Sequence, residues 1–183
     1  LIGTGTGLTS GNLASVQTAI AAAAPTGVDT LAELTSLVDG VVNAGTLALN
    51  RIRDAAENNT AAGTNPSISD FAAAGVTGVD VTNLAAIQSA LNDADVAGAS
   101  ADTTSEIQGI VDAYLAILGA ADGSVDGDSA PTAVQYGLIG VNGVSGASAV
   151  ALLGNVIDGK PGVDVDTVSE VQDLANRVAA VMS

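Results

Sequence analysis

The phrase Asp-Thr-x-x-Glu-apolar occurs three times, as Asp29-Thr30-Leu31-Ala32-Glu33-Leu34, Asp102-Thr103-Thr104-Ser105-Glu106-Ile107 and Asp166-Thr167-Val168-Ser169-Glu170-Val171. In each copy the Thr hydroxyl can accept from the Glu backbone N–H, while the Glu carboxylate reaches back to the Thr N–H. That is a helix start, and its recurrence points to an array of helical units. The cap threonines are 73 and 64 residues apart. This period is too long for a helical hairpin and fits a unit of three helices.

The middle copy serves as the template. Its first helix follows Pro66, with Ser67 as N-cap and Asp70 three residues on, and stops at Gly75 as the C′ residue. The third copy repeats this as Pro131, Thr132, Gln135 and Gly140, and Phe71 matches Tyr136, so one aromatic per unit anchors the short helix in the core. In the first copy only Leu1-Ile2-Gly3 matches the end of this helix, Leu138-Ile139-Gly140, so the chain is expected to start inside a unit. The opening Leu1, without Met, suggests a fragment or processed piece. The second helix is announced by Leu8-Thr9, Val79-Asp80 and Val144-Ser145, an apolar residue before a capping residue. Leu13, Leu84 and Ala149 follow at the spacing of a hydrophobic staple. Leu13, Val16 and Ile20 then match Leu84, Ile87 and Leu91, and more loosely Val150, Leu153 and Ile157.

The third helix opens at the repeated phrase and carries Leu34, Leu37, Val38, Val41; Ile107, Ile110, Val111, Tyr114; and Val171, Leu174, Ala175, Val178 at helical period. In copy one the stripe continues through Ala48, Leu49, Ile52 and Ala55, which predicts a helix about two turns longer than its counterpart. The expected fold is all-α, with about two and two-thirds three-helix units and no substantial β-sheet. The units would span 1–65, 66–130 and 131–183. A short strand within Gly75–Thr82, where residues alternate, is the rival reading.

Composition sets the limits on this scaffold. Apolar residues make up 48% and charged residues 13%, enough greasy surface for a core. Aromatics are confined to Phe71, Tyr114 and Tyr136, so Ala, Val, Leu and Ile must fill that core through close helix contacts. Twenty carboxylates against four cations give a net charge of −16. Such a surface repels phosphate backbones and anionic lipid, which argues against nucleic-acid partners and membrane attachment. No apolar run approaches the length of a membrane span.

The chemical kit is sparse. With no His, no Cys and one Lys, imidazole-activated nucleophiles, zinc ligation by imidazole or thiolate, and supported Schiff-base chemistry have no candidates. The paired carboxylates Asp29/Glu33, Asp102/Glu106 and Asp166/Glu170 recur at every third-helix start, where caps and the helix dipole account for them. No catalytic residue and no resident cofactor are expected.

One segment has metal-ligand spacing: Asp122, Ser124, Asp126 and Asp128, with Gly127 at loop position 6, resemble the first half of an EF-hand loop. Position 12 is Ala133, so the bidentate acid is missing and Ca²⁺ affinity would be millimolar at best; the alternative is a plain acidic linker. The Gly-rich stretches Gly3–Gly7 and Gly140–Gly143 lack the Lys-Ser/Thr of a phosphate loop and read as interhelical turns. Asn58-Asn59-Thr60 fits the glycosylation sequon.

The run from Phe71-Ala72-Ala73-Ala74-Gly75-Val76-Thr77-Gly78-Val79 to Asn83-Leu84-Ala85-Ala86-Ile87-Gln88-Ser89-Ala90-Leu91 resembles the Ala/Gly/Val/Asp-rich helical repeats of very long surface proteins and adhesins of Gram-negative bacteria. The helix order also resembles the three-helix GA modules that bind albumin, although those are Lys-rich and this chain is not. The first resemblance implies an extracellular or cell-surface location in bacteria. It further implies a structural role as spacer, stalk or adhesin extension, with neighbouring repeats or copies of itself as partners and an unidentified surface ligand. A self-assembling subunit of an extracellular filament or surface layer is the alternative.

Overall fold

The protein is all-α. The computed structural model describes residues 8, 12–59, 65–127 and 129–183. Among them are eight α-helices: α1 (Leu13–Ala22), α2 (Leu31–Asn58), α3 (Ile68–Ala73), α4 (Leu84–Leu91), α5 (Thr104–Ala120), α6 (Ala133–Leu138), α7 (Ala147–Asp158) and α8 (Val168–Met182). The only β pairing among the described residues is a single antiparallel bridge between Asp122 and Pro161.

Five of these helices begin with a complete capping box: Thr30/Glu33, Ser67/Asp70, Thr103/Glu106, Thr132/Gln135 and Thr167/Glu170. Each satisfies two backbone donors that helix geometry would otherwise leave unpaired. The short helices α3 and α6 end alike. Gly75 and Gly140 take positive φ (78° and 93°), and the following N–H groups of Val76 and Val141 donate back to Phe71 and Tyr136 at 2.9 and 3.0 Å. This is a Schellman stop, and the apolar pair it brings together is buried in both places. The same turns occupy the ground of the rival strand at Gly75–Thr82.

The second helices start later than their sequence signals suggest. Asp80 accepts from the Thr82 N–H at 2.8 Å, its own N–H donates to Asn83 Oδ1 at 2.9 Å, and α4 is assigned only from Leu84. Asp80 thus caps a lead-in turn rather than the helix proper. In the third copy the N-cap is Gly146 at φ 82°, one residue past Ser145. Thr9 lies outside the described residues.

One element had no counterpart in the sequence reading. A 3-10 turn precedes each third helix, at Pro25–Gly27, Gly98–Ser100 and Gly162–Asp164, always starting five residues before the cap Thr. The residue after each turn has nearly the same backbone, with φ −144°, −142° and −142° at Val28, Ala101 and Val165. Ala101 and Val165 are fully buried there.

The third helices join consecutive segments. α2 has 28 residues and α5 has 17, so the difference is nearer three turns than two. Helix α2 packs against α1, and its second half lies on α3 and on the 98–100 turn. Ala48, Ile52, Ala55 and Ala56 are buried in that second half. A Cβ on Gly45 would stand 3.0 Å from the Ala73 carbonyl, so a side chain there would obstruct the approach of α3. Arg51 pairs with Asp70 across the same contact, and Gly98 N–H donates to Glu57 Oε2 at 3.2 Å. Helix α5 likewise packs against α4 and against α6 and α7. One hydrophobic cluster runs from Ala48 to Val178, unbroken across positions 65/66 and 130/131.

Candidate functional site

The recurring carboxylates are the first candidates, and their geometry is that of caps. Thr103 N–H donates to Glu106 Oε2 at 3.1 Å, and Glu106 N–H donates to Thr103 Oγ1 at 3.3 Å. The other two pairs match within a tenth of an ångström. The Thr103 hydroxyl, and then Asp102, hold the Glu106 carboxyl below its ordinary range; Thr30 and then Asp29 do the same to Glu33. Asp102 is pushed up in return by Glu106, and Asp166 is raised by burial and then by Glu170. Asp102 and Glu106 thus titrate apart, as an acid/base couple must. They do so at an exposed helix end, where nothing excludes water from a substrate.

The acidic loop before α6 is the second candidate. Asp122 Oδ1 accepts from the Ser124 N–H at 2.7 Å, the Gly123 N–H donates to the Lys160 carbonyl at 3.0 Å, and Asp126 is exposed. Asp128 lies outside the described residues. Gly123 and Gly127 both adopt φ +87°, which only Gly takes readily, so the strap bends at two fixed points. The structure adds one acid to this region that sequence spacing did not reveal. Asp158, at the end of α7, is 6% exposed and its Oδ2 accepts from Gly127 N–H at 3.4 Å, while Oδ1 has no partner. Among the described residues, no group of three or more His, Cys, Asp or Glu is arranged to hold a metal ion.

Asp158 had a detectable signal in its counterpart. Asn92, at the end of α4, is the matching residue; its Nδ2 donates to Asn65 Oδ1 at 3.1 Å and its own Oδ1 is likewise buried without a partner. A polar residue at this position therefore ties the ends of α4 and α7 to the loops before α3 and α6; the matching residue of α1 is Ala21.

A second missed feature is a pair of amide clamps. The Thr77 N–H donates to Gln108 Oε1 at 2.8 Å and Gln108 Nε2 donates to the Thr77 carbonyl at 3.1 Å; Asn142 and Gln172 make the same two bonds at the same two distances. Gln108 and Gln172 each stand five residues after their cap Thr, whereas copy one has Thr35 there. That interruption hid the pattern.

The remaining motifs resolve as turns. At Gly140–Gly143 the Asp93 side chain crowds Gly140, whose Cβ would fall 2.7 Å from the Asp93 Cγ, so a carboxylate stands beside the loop where a phosphate would have to approach. Gly3–Gly7 lie outside the described residues. Asn58 Nδ2 donates to the Asp54 carbonyl at 2.6 Å within the last turn of α2, and Thr60 of the same sequon lies outside the described residues.

These features define an all-α framework held by repeated caps, clamps and turns. No described helix is long and apolar enough to cross a membrane. Comparison with protein-family models, curated proteins and solved structures gives no match.

Proposed function

We propose that this chain is a non-enzymatic structural segment of a secreted or cell-surface bacterial protein, built from copies of one three-helix module and acting as a spacer, stalk or adhesin extension. The observation that carries this reading is the junction. Helix α2 packs against α1 of its own segment and α3 of the next, and α5 packs against α4 of its own and α6 and α7 of the next, so successive segments share one core. An array joined in this way transmits position along its length, as stacked repeat proteins do. The surface suits such a role: a charge of −16 favours solubility. The resemblance to Ala/Gly/Val/Asp-rich surface repeats supports the location.

Negative-stain microscopy of a multi-copy tandem tests the proposal. Stiff rods whose length grows in proportion to copy number are expected. Strings of freely jointed beads would overturn it.

A further inference from the structure

Helix α8 carries an apolar face whose counterpart earlier in the chain is covered. In α5, Ile110, Tyr114 and Ile117 stand seven, eleven and fourteen residues after Thr103, and each is at most 1% exposed, with α6 and α7 packed on that helix. At the same offsets from Thr167 stand Leu174, Val178 and Val181. The first two are nearly buried by α7, but Val181 is 77% exposed and Met182 beside it 50%. Leu174, Val178 and Val181, with Leu152 and Val156 of α7, border an apolar groove of about 320 Å³.

The opposite end shows the matching deficit. Leu91 in α4 and Ile157 in α7 are fully buried, whereas Ile20, their counterpart in α1, is 37% exposed, and Leu13 at the other end of that stripe is 42% exposed. Only Val16 of α1 is buried.

We infer that the groove between α7 and α8 receives the α1 end of a second copy of this chain, head to tail, as α5 receives α6 and α7 of the segment after it. The inference rests on the reading of the chain as stacked modules. Continuity with the internal junction supplies the geometry, and charge supplies the preference. The groove is rimmed by Lys160 and Arg177, two of the chain's four cations. Lys160 reaches Asp164 at 3.5 Å, while Arg177 makes no ion pair among the described residues. Helix α1 has no charge, and the chain that follows it into α2 carries Asp29, Glu33 and Asp39. The two surfaces differ, so the contact is heterologous and extends linearly unless its rotation closes a ring.

Sedimentation velocity on the intact chain and two variants tests this. The parent's weight-average sedimentation coefficient is expected to rise between about 10 μM and about 1 mM, with Val181→Asp and Ile20→Asp each weakening association at least about tenfold. Both positions are partly or largely exposed, and unchanged helical circular dichroism verifies that the variants fold. The equimolar mixture decides. Val181→Asp retains an intact α1 end and Ile20→Asp an intact groove, so the mixture forms heterodimers and stops there. A parent that stays monomeric at about 1 mM, variants that associate like the parent, or a mixture that stays monomeric would each overturn the inference. Failure of the stacked-module reading is separately visible, as jointed beads in the tandem, whatever the single chain does in the centrifuge.

Discussion

The Tyr114 hydroxyl donates to the Val165 carbonyl at 3.2 Å, a buried bond between α5 and the backbone just after the third 3-10 turn. It crosses from one segment to the next, and burial pushes the phenol pKa well above its ordinary value. Tyr136, also buried, has no partner for its hydroxyl and occupies the place held by Phe71 in the preceding segment. Removing the two hydroxyls should therefore have opposite outcomes. Tyr114→Phe strands the Val165 carbonyl and should cost about 1–2 kcal/mol, whereas Tyr136→Phe should be neutral or stabilising by up to about 1 kcal/mol. Urea denaturation of both variants measures this.

Gly98 and Gly162 hold the same position in successive 3-10 turns, but the third helix crosses them at different heights. A Cβ on Gly98 would meet the Glu57 Cβ at 3.0 Å and the Arg53 carbonyl at 3.1 Å; on Gly162 the nearest atom is the Ala121 carbonyl at 3.7 Å. Gly98→Ala should destabilise by about 1–3 kcal/mol through overpacking, and Gly162→Ala should change stability by less than about 0.5 kcal/mol. Thermal melts of the pair check the contrast.

The helices were legible because their signals are local. Thr-x-x-Glu and Gly stops act within four residues, and all five expected boxes at Thr30, Ser67, Thr103, Thr132 and Thr167 are present. What stayed hidden depends on distance. The 3-10 turns begin with Pro25, Gly98 and Gly162, a small or ring-constrained residue without a side-chain pattern, and their need is set by the helix crossing above them. The apolar stripe of α2 ends at Ala56, and the polar pair Glu57-Asn58 carries the helix beyond it without a sequence signal. Asp158 and the two Gln clamps act on loops about thirty residues away. The acidic loop's spacing was visible in the sequence, but which oxygens face one another was not.

Acid should first stabilise this protein and then unfold it. Glu33 and Glu106 are held below their ordinary value of 4.5, and Asp80 below 3.8 by Thr82; these groups stabilise the fold above those values and lose that contribution as pH falls through the lower folded ones. Burial raises Asp70, yet Ser67 and Arg51 outweigh it, so it behaves likewise. Asp102 and Asp166 are shifted up, so their contribution is complete below 3.8 and lost as pH rises through their higher folded values. Self-repulsion also fades towards the pI of about 4.1. Melting temperature should rise from pH 7 to about pH 5 and drop steeply below about pH 4. A monotonic fall from pH 7 would contradict this.

Calcium should bind the 122–128 strap no more tightly than millimolar, since the loop's twelfth position is Ala133. Calorimetric titration of the parent should show weak heat that Asp126→Ala abolishes. The same heat from both proteins would remove the site.

The claim that successive segments share one core is tested most directly by scanning calorimetry of the parent beside a chain ended at Ala130. Removing residues 131–183 takes α6 and α7 away from α5 and α8 away from α4, uncovers apolar side chains of the shared core, and leaves the buried Tyr114 hydroxyl without the Val165 carbonyl. Each large apolar side chain uncovered costs about 1.5–3 kcal/mol. The shortened chain should melt at least about 10 °C lower, and the parent should unfold in a single transition. An unchanged melting temperature for residues 1–130, with a separate transition in the parent for the removed part, would contradict the account.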